Sequence, residues 1–228
     1  MKSAKSVLKK IKGDASFRSF YRKTNNKKNS IIVYATKEKE KNLLIYDAIN
    51  SLLIKNKVLA PVLYVENYKK NFIEIEDFGD DSIFKLLKNK RNNRINLYKK
   101  CIDLLCKIQK IKQNKIKNFH GRNYKIPIYE NNKLLQEAKI FSDWDTKKYI
   151  SRKKLLKFII EIKKQIKYLL LNLKLKNDTL VHRDFHVSNL MQYKKKIAVI
   201  DTQDALIGNK AYDLASLIDD VRLRSVSY

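Results

Sequence analysis

The sequence predicts an α+β fold of two lobes, a small antiparallel-sheet lobe at the N-terminus followed by a mainly helical lobe. Three observations carry this. Up to Asp77, short apolar runs surround one helical stretch in the order β-β-α-β-β, which describes an antiparallel sheet with a helix. After Gly79 and Asp80 the apolar spacing becomes that of helices. Only four glycines and two prolines punctuate 228 residues, too few for a sandwich of many tight turns. The division falls near residue 78, giving lobes of residues 1–78 and 79–228.

Taken in order, residues 3–12 have the spacing of a short helix. GDASFRSFYRK then leads into an alternating stretch, and NSIIVYAT (29–36) reads as its partner strand across a polar TNNKKN turn. Residues 38–55 place Leu43, Leu44, Ala48, Leu52 and Leu53 near helical spacing. APVLYVEN and NFIEIEDF are two more strands, joined by a polar turn at residues 68–71. In the second half, residues 81–88, 94–112, 131–141 and 150–173 read as helices. Leu97, Ile102, Leu105 and Ile108 mark one face of the second. Leu155, Ile159, Ile162, Ile166 and Leu169 mark one face of the last. Two short apolar strands, TLVHRD and KIAVIDT, lie in this helical half, and a final helix covers roughly 211–222.

The chain carries 51 Lys and Arg against 23 Asp and Glu, a net charge of +28. Such a balance suits nucleic acid or an anionic surface. The excess is mostly Lys, it is spread along the whole chain, and it accompanies abundant Asn, Ile and Tyr. That pattern points to solvated faces and A/T-rich codons before it points to a polyanion partner. Cys101 and Cys106 lie five apart in one helix, which fits neither a zinc pattern nor a disulfide. Both are expected as buried thiols in a reducing compartment. No stretch has the length of a signal-peptide core or a membrane span, so a cytoplasmic monomer is expected.

The chemistry concentrates in residues 179–204. An apolar strand delivers His182, Asp184, His186 and Asn189 into a tight loop. A second strand then delivers Asp201, with Gln203 and Asp204 behind it. Phosphoryl transfer from ATP needs one carboxylate to deprotonate the attacking hydroxyl and oxygen ligands to hold Mg²⁺ against the phosphates. Asp184 suits the first role; Asn189 and Asp201 suit the second. The spacing H-x-D-x-x-x-x-N, followed by a strand and an Asp, is that of a kinase catalytic loop. A zinc or iron site built from His182, Asp184 and His186 is the competing reading, but Mg²⁺ prefers carboxylate and amide oxygens to imidazole. His182 is expected to brace the loop. His186, Gln203 and Asp204 are candidate contacts to the acceptor. Trp144 is more in keeping with packing than with a sugar platform.

The segments HRDFHVSNLM and IAVIDTQDALIGNKAYDLASLIDD resemble the aminoglycoside phosphotransferase/choline kinase superfamily, whose fold is protein-kinase-like. More narrowly, GDASFRSFYR (13–22), IEIEDFGDDSI (73–83) and AYDLASLIDD (211–220) resemble bacterial cell-wall amino-sugar kinases. Those enzymes phosphorylate the anomeric hydroxyl of N-acetylmuramate and N-acetylglucosamine in peptidoglycan recycling. The resemblance implies ATP and Mg²⁺ as cofactors and a small-molecule acceptor. It implies a nucleotide-binding first lobe and a catalytic second lobe. Asp184 resembles the catalytic base, Asn189 and Asp201 the metal ligands, and Asp213 a buried carboxylate that orders the catalytic loop. The backbone at Glu76, Asp77 and Phe78 resembles the adenine-binding hinge, and Gly13, Ala15, Ser16 and Phe17 the loop over the phosphates. The chain departs from the kinase pattern twice. IIVYAT (31–36) holds no strand lysine; Lys37 and Lys39 lie just beyond it, and Glu40 is the helix carboxylate that would pair with such a lysine. The chain also stops at Tyr228, where family members continue with further helices, so a truncated second lobe is expected. A non-catalytic remnant and a basic nucleic-acid-binding protein are the alternative functions.

Overall fold

A computed structural model of the chain describes residues 7–11, 18–25, 29–35, 39–89, 91–118, 120–140, 151–173 and 176–223. The N-terminal lobe is one antiparallel sheet of five strands: β1 (Val7–Ile11), β2 (Ser19–Thr24), β3 (Ser30–Tyr34), β4 (Leu63–Asn67) and β5 (Phe72–Glu76). Their spatial order is β1-β2-β3-β5-β4. Helix α1 (Lys39–Lys55) crosses between β3 and β4.

Residues 7–11 correct the expectation of an initial helix. Val7, Leu8 and Ile11 have helical spacing, but all five residues pair with β2, from Val7 opposite Thr24 to Ile11 opposite Phe20. Val7 and Leu8 stay exposed, so burial did not select the conformation. Pairing with the otherwise open edge of β2 did.

Helix α1 joins the two lobes because it serves two cores. Leu43, Leu44 and Tyr46 pack with Val33, Ile73 and Ile75 of the sheet. Ala48, Ile49, Leu52 and Leu53 enter the larger core of the second lobe. Its apolar residues therefore need two partners, and the helix cannot follow one lobe without the other.

The second lobe contains α2 (Ile83–Lys88), α3 (Arg94–Gln109), α4 (Asn131–Ile140), α5 (Arg152–Asn172) and α6 (Ala211–Ile218). Side chains of Ser82 and Asn93 cap α2 and α3 by accepting the amide hydrogens of Lys85 and Asn96. The buried face of α3 is Leu97, Cys101, Leu104, Leu105 and Ile108. Ile102, expected on that face, is exposed. It lies five residues from Leu97, about 140° around the helix. The same offset from Cys101 exposes Cys106, correcting its expected burial. On α5, Leu169 is exposed, so the expected apolar face is not covered along its full length. Among the described residues no helix is long and apolar enough to cross a membrane.

Three two-stranded ribbons complete the lobe: β6 (Lys115–Lys117) with β7 (Asn123–Lys125), β8 (Thr179–Val181) with β11 (Leu206–Gly208), and β9 (Leu190–Tyr193) with β10 (Lys196–Val199). The sequence suggests only β8 and β10. The other four strands have three or four residues, too few for an alternating pattern to stand out. The ribbons β8–β11 and β9–β10 end where the chemistry-bearing residues begin.

Candidate active site

Strand β8 and His182 after it are buried, so the chain leaves the core only at Arg183. There it makes a sharp turn, with Arg183 at φ 76°, a conformation that costs a non-glycine residue about 1–3 kcal/mol unless its surroundings enforce it. Asp213 provides that enforcement. It sits fully buried in the first turn of α6, and its two carboxylate oxygens accept the amide hydrogens of His182 at 2.7 Å and Arg183 at 2.9 Å. Burial pushes the Asp213 carboxyl above its ordinary value, against the pull of those two N–H groups.

The ring of His182 spans to the next strand. Its Nε2 lies 2.9 Å from the carbonyl oxygen of Ile200. A carbonyl only accepts, so Nε2 carries the hydrogen. The loop of residues 182–189 and the turn at Asp201 are thereby tied together, and the Ile200 amide donates back to the Asn189 carbonyl at 3.0 Å. Phe185 and Val187 are fully buried and anchor the loop from below. The buried Asp220 accepts the Val187 amide at 3.2 Å.

Asp184 is half-buried at the loop's tip. The amide nitrogen of Asn189 reaches the Asp184 carbonyl at 3.1 Å and His186 Nε2 at 3.2 Å. Both hydrogens of that amide are used within the loop, which leaves Oδ1 as its outward oxygen. Burial pushes the His186 imidazole below its ordinary value and keeps it neutral, as its acceptor role toward Asn189 requires. His186 thus lies against Asn189, on the inner side of the turn. Gln203 is buried and donates to the exposed Asp204 at 2.8 Å.

Asp201 follows β10 with φ 64°. Two residues of α1, one turn apart, reach this turn: Tyr46 is hydrogen-bonded to Asn50 and to the Asp201 backbone, and Asn50 accepts from Thr202. Burial raises the Tyr46 phenol, so it stays neutral beside the Asp201 carboxylate. Arg18 Nη2 lies 3.1 Å from Asp201 Oδ1.

Asn189 and Asp201 lie on one wall of a cleft of about 400 Å³ between the lobes. Phe20, Ile31 and Ile75 form its sheet-side roof, Met191 and Ile200 its floor, and Glu76, Asp77 and Phe78 its hinge end. This volume and apolar lining suit a small ligand with a planar apolar part. At the hinge the Glu76 amide is committed to the Val62 carbonyl at 2.9 Å. Phe78 packs on Tyr193, with ring centroids 4.8 Å apart. Asp77 is held bidentately by Arg22 at 2.6 and 3.1 Å, and Arg22 also reaches Asp80 at 2.9 Å and the Gly79 carbonyl at 3.1 Å.

The donor set fits Mg²⁺. One amide oxygen and one carboxylate face the same space, both hard oxygen donors, and the remaining positions of the metal are left to phosphate and water. Among the described residues no group of three or more His, Cys, Asp or Glu could hold a metal, which removes the zinc or iron reading through His182, Asp184 and His186. Gly13, Ala15, Ser16, Phe17, Lys37 and Trp144 lie outside the described residues. Of Lys39 and Glu40 only their place at the start of α1 is described.

Sequence reasoning missed Arg18, Arg22, Tyr46, Asn50 and Asp220. It also missed Glu137, which pairs with Arg183 at 2.6 Å and ties α4 to the catalytic loop. A signal for the arginines was present. Arg is nine of the 51 basic residues, and two of those nine, Arg18 and Arg22, flank Phe20 in the stretch that opens the first hairpin.

Residues 7–226 match the profile of the family described as phosphotransferase enzymes. An N-acetylmuramate/N-acetylglucosamine kinase of Pseudomonas putida is 27% identical over 91% of this chain and 58% of its own length. A kinase of the same name from Neisseria meningitidis is 25% identical over 91% of this chain and 59% of its own. The chain thus spans a little under three fifths of the length of these relatives. Among solved structures, an ethanolamine kinase of Plasmodium vivax superposes with a TM-score of 0.61 at 17% identity, covering 94% of this chain and 60% of that one. An aminoglycoside phosphotransferase, APH(4)-Ia, gives 0.63 at 10% identity, covering 93% and 72%. These two likenesses show a common kinase-like fold, and with the family match over nearly the whole chain they lead to one assignment: this chain belongs to the phosphotransferase enzyme family.

Proposed function

We propose that the chain transfers the γ-phosphoryl group of ATP to a hydroxyl of a small acceptor, specifically the anomeric hydroxyl of an amino sugar of the N-acetylmuramate or N-acetylglucosamine type. The setting would be recycling of cell-wall sugars in a reducing cytoplasm. The observation that carries the reading is the convergence of Asn189 and Asp201 from two strand ends onto one interlobe cleft, with Asp184 on the same loop as Asn189 and its carbonyl bonded to the Asn189 amide. The names of the relatives from Pseudomonas putida and Neisseria meningitidis support the choice of acceptor.

In this reading the adenine lies between Ile31, Ile75 and Met191, with its edge toward residues 76–78. Asn189 and Asp201 hold Mg²⁺ through Oδ1 and a carboxylate oxygen. When bound, Mg²⁺ neutralises charge on the phosphate oxygens as the phosphoryl group moves. Asp184 orients the acceptor hydroxyl and takes its proton as the new P–O bond forms and the bond to the ADP oxygen breaks. His182 and Asp213 keep Asp184 in place through the loop backbone. Most of the rate gain comes from positioning and preset charge. The net charge of +28 favours arrival of an anionic nucleotide.

The test is an ATP-consumption assay against N-acetylated amino sugars, aminoglycosides, choline and ethanolamine, with ³¹P NMR of the product. An anomeric sugar phosphate is expected, and Asp184→Asn should lower kcat by about 10²–10⁴-fold with Mg·ATP affinity retained. Turnover of no acceptor, or undiminished turnover in Asp184→Asn, overturns the proposal.

A further inference from the structure

We propose that Arg18 supplies the phosphate-binding cation that β3 lacks, and that its ion pair with Asp201 is the nucleotide-free form of that contact. The inference rests on the nucleotide reading above and adds a residue to it.

A site that breaks the bond between the β- and γ-phosphates needs a fixed positive side chain on the phosphates besides any metal. The cleft-facing positions of β3 do not provide one. Ile31 lines the cleft. Val33, two residues on and so on the same face, is fully buried. Among the described residues three cations remain near the cleft. Arg22 is committed to Asp77 and Asp80 at the hinge. Lys85 stands in the first turn of α2, also at the hinge end. Arg18 alone stands at the opposite end, on the expected metal ligand.

Strand geometry explains why it stands there. Arg18 stands in the bend one residue before β2, and Phe20 and Arg22 of that strand line the cleft. From Ser19 to Arg22 the strand spans about 10 Å, and Arg18 lies one residue beyond it, on the side away from the hinge. A nucleotide with its base beside Arg22 and Phe20 therefore has its phosphates beside Arg18.

The burial pattern separates this role from simple charge neutralisation. The Arg18 side chain is only 9% exposed, whereas Asp201 is 34% exposed. A carboxylate that open to water needs no enclosed counterion. An enclosed guanidinium held against a carboxylate that lines the cleft is instead preset for an anion that arrives beside that carboxylate. Its planar fork carries five N–H donors, a geometry that matches carboxylate and phosphate oxygens alike. Without nucleotide, Arg18 occupies an oxygen of Asp201 that Mg²⁺ would need, which makes the two cations competitors until phosphate is present.

The test compares wild type, Arg18→Gln and Arg18→Lys in the full chain by calorimetric titration with Mg·ATP, Mg·ADP and adenosine, and with Mn²⁺ alone. Arg18→Gln should weaken Mg·ATP binding by about 10–100-fold and leave adenosine binding unchanged. Arg18→Lys should recover part of the loss. Mn²⁺ alone should bind Arg18→Gln at least as tightly as wild type, because a competing cation is gone. Unchanged Mg·ATP affinity in Arg18→Gln overturns the inference, as does an equal loss for ATP and adenosine, which marks a structural role. Should Arg18→Gln not fold, Arg18→Met, which keeps the aliphatic stem, carries the same comparison; failure of both to fold overturns the inference. Wild type that binds neither ATP nor adenosine overturns the nucleotide reading itself, and this inference with it.

Discussion

Thr202 Oγ1 donates a 2.6 Å hydrogen bond to Asn50 Oδ1, joining side chains 152 residues apart. Both are buried. Thr202 follows the expected metal ligand Asp201, and Asn50 lies on the helix whose other half packs under the sheet. One bond thus ties the sheet lobe's helix to the turn that presents Asp201. Tyr46, one turn earlier on α1, adds its hydroxyl to the same point.

Removing both partners should cost less than the two single losses added together. Thr202→Val or Asn50→Leu leaves a buried polar group unsatisfied, at about 1–3 kcal/mol each. The double variant should lose clearly less than the sum, because no orphan is left. Urea denaturation of the four proteins checks this, and additive losses would show that the bond contributes nothing of its own.

The hinge depends on Arg22 in a different way. Asp77 has a side chain only 4% exposed, and Arg22 meets it with two N–H groups. Arg22→Met leaves that carboxylate without its guanidinium, which should cost about 3–5 kcal/mol. Adding Asp77→Asn should restore much of the loss, since the uncompensated charge goes while Asn Oδ1 can still accept the Gly79 amide, now 2.8 Å from Asp77. Thermal unfolding compares the two variants. If Asp77→Asn brings no recovery, the pair is a surface contact rather than the hinge's support.

The sheet carries its own pH dependence. At Glu74, burial acts to raise the carboxyl, but the Ser30 hydroxyl at 2.6 Å and the Lys23 ammonium at 2.9 Å outweigh it and hold the group below its ordinary 4.5. A carboxyl depressed in the fold contributes stability that is present above the unfolded value and lost as pH falls through the folded one. Wild type should therefore lose stability below about pH 4.5, and Glu74→Gln should lose less over the same range. Denaturant midpoints from pH 7 to pH 3 measure it; parallel acid limbs would exclude Glu74 as a contributor.

By itself the sequence determined the α+β class, nearly every helix, and the placing of the His182–Asp204 polar residues at the ends of two short strands. These are local properties. Helical spacing is readable within one element, and H-x-D-x-x-x-x-N packs its polar residues into one loop whose entry strand is plainly apolar. Tertiary structure decided what depends on a distant partner. Residues 7–11 are a strand only because β2 has an open edge. Cys106 and Ile102 are exposed only because α3 turns their side of the helix to solvent. The ribbons β6–β7 and β9–β10 are too short to show a period. Asp213 reads as a helix residue until its two oxygens meet the amides of His182 and Arg183. The same holds for the missing strand lysine, which looks like a gap when β3 is read alone. Arg18 meets Asp201 from the bend before β2, 183 residues away in sequence, because only the folded chain brings the first hairpin against the turn after β10.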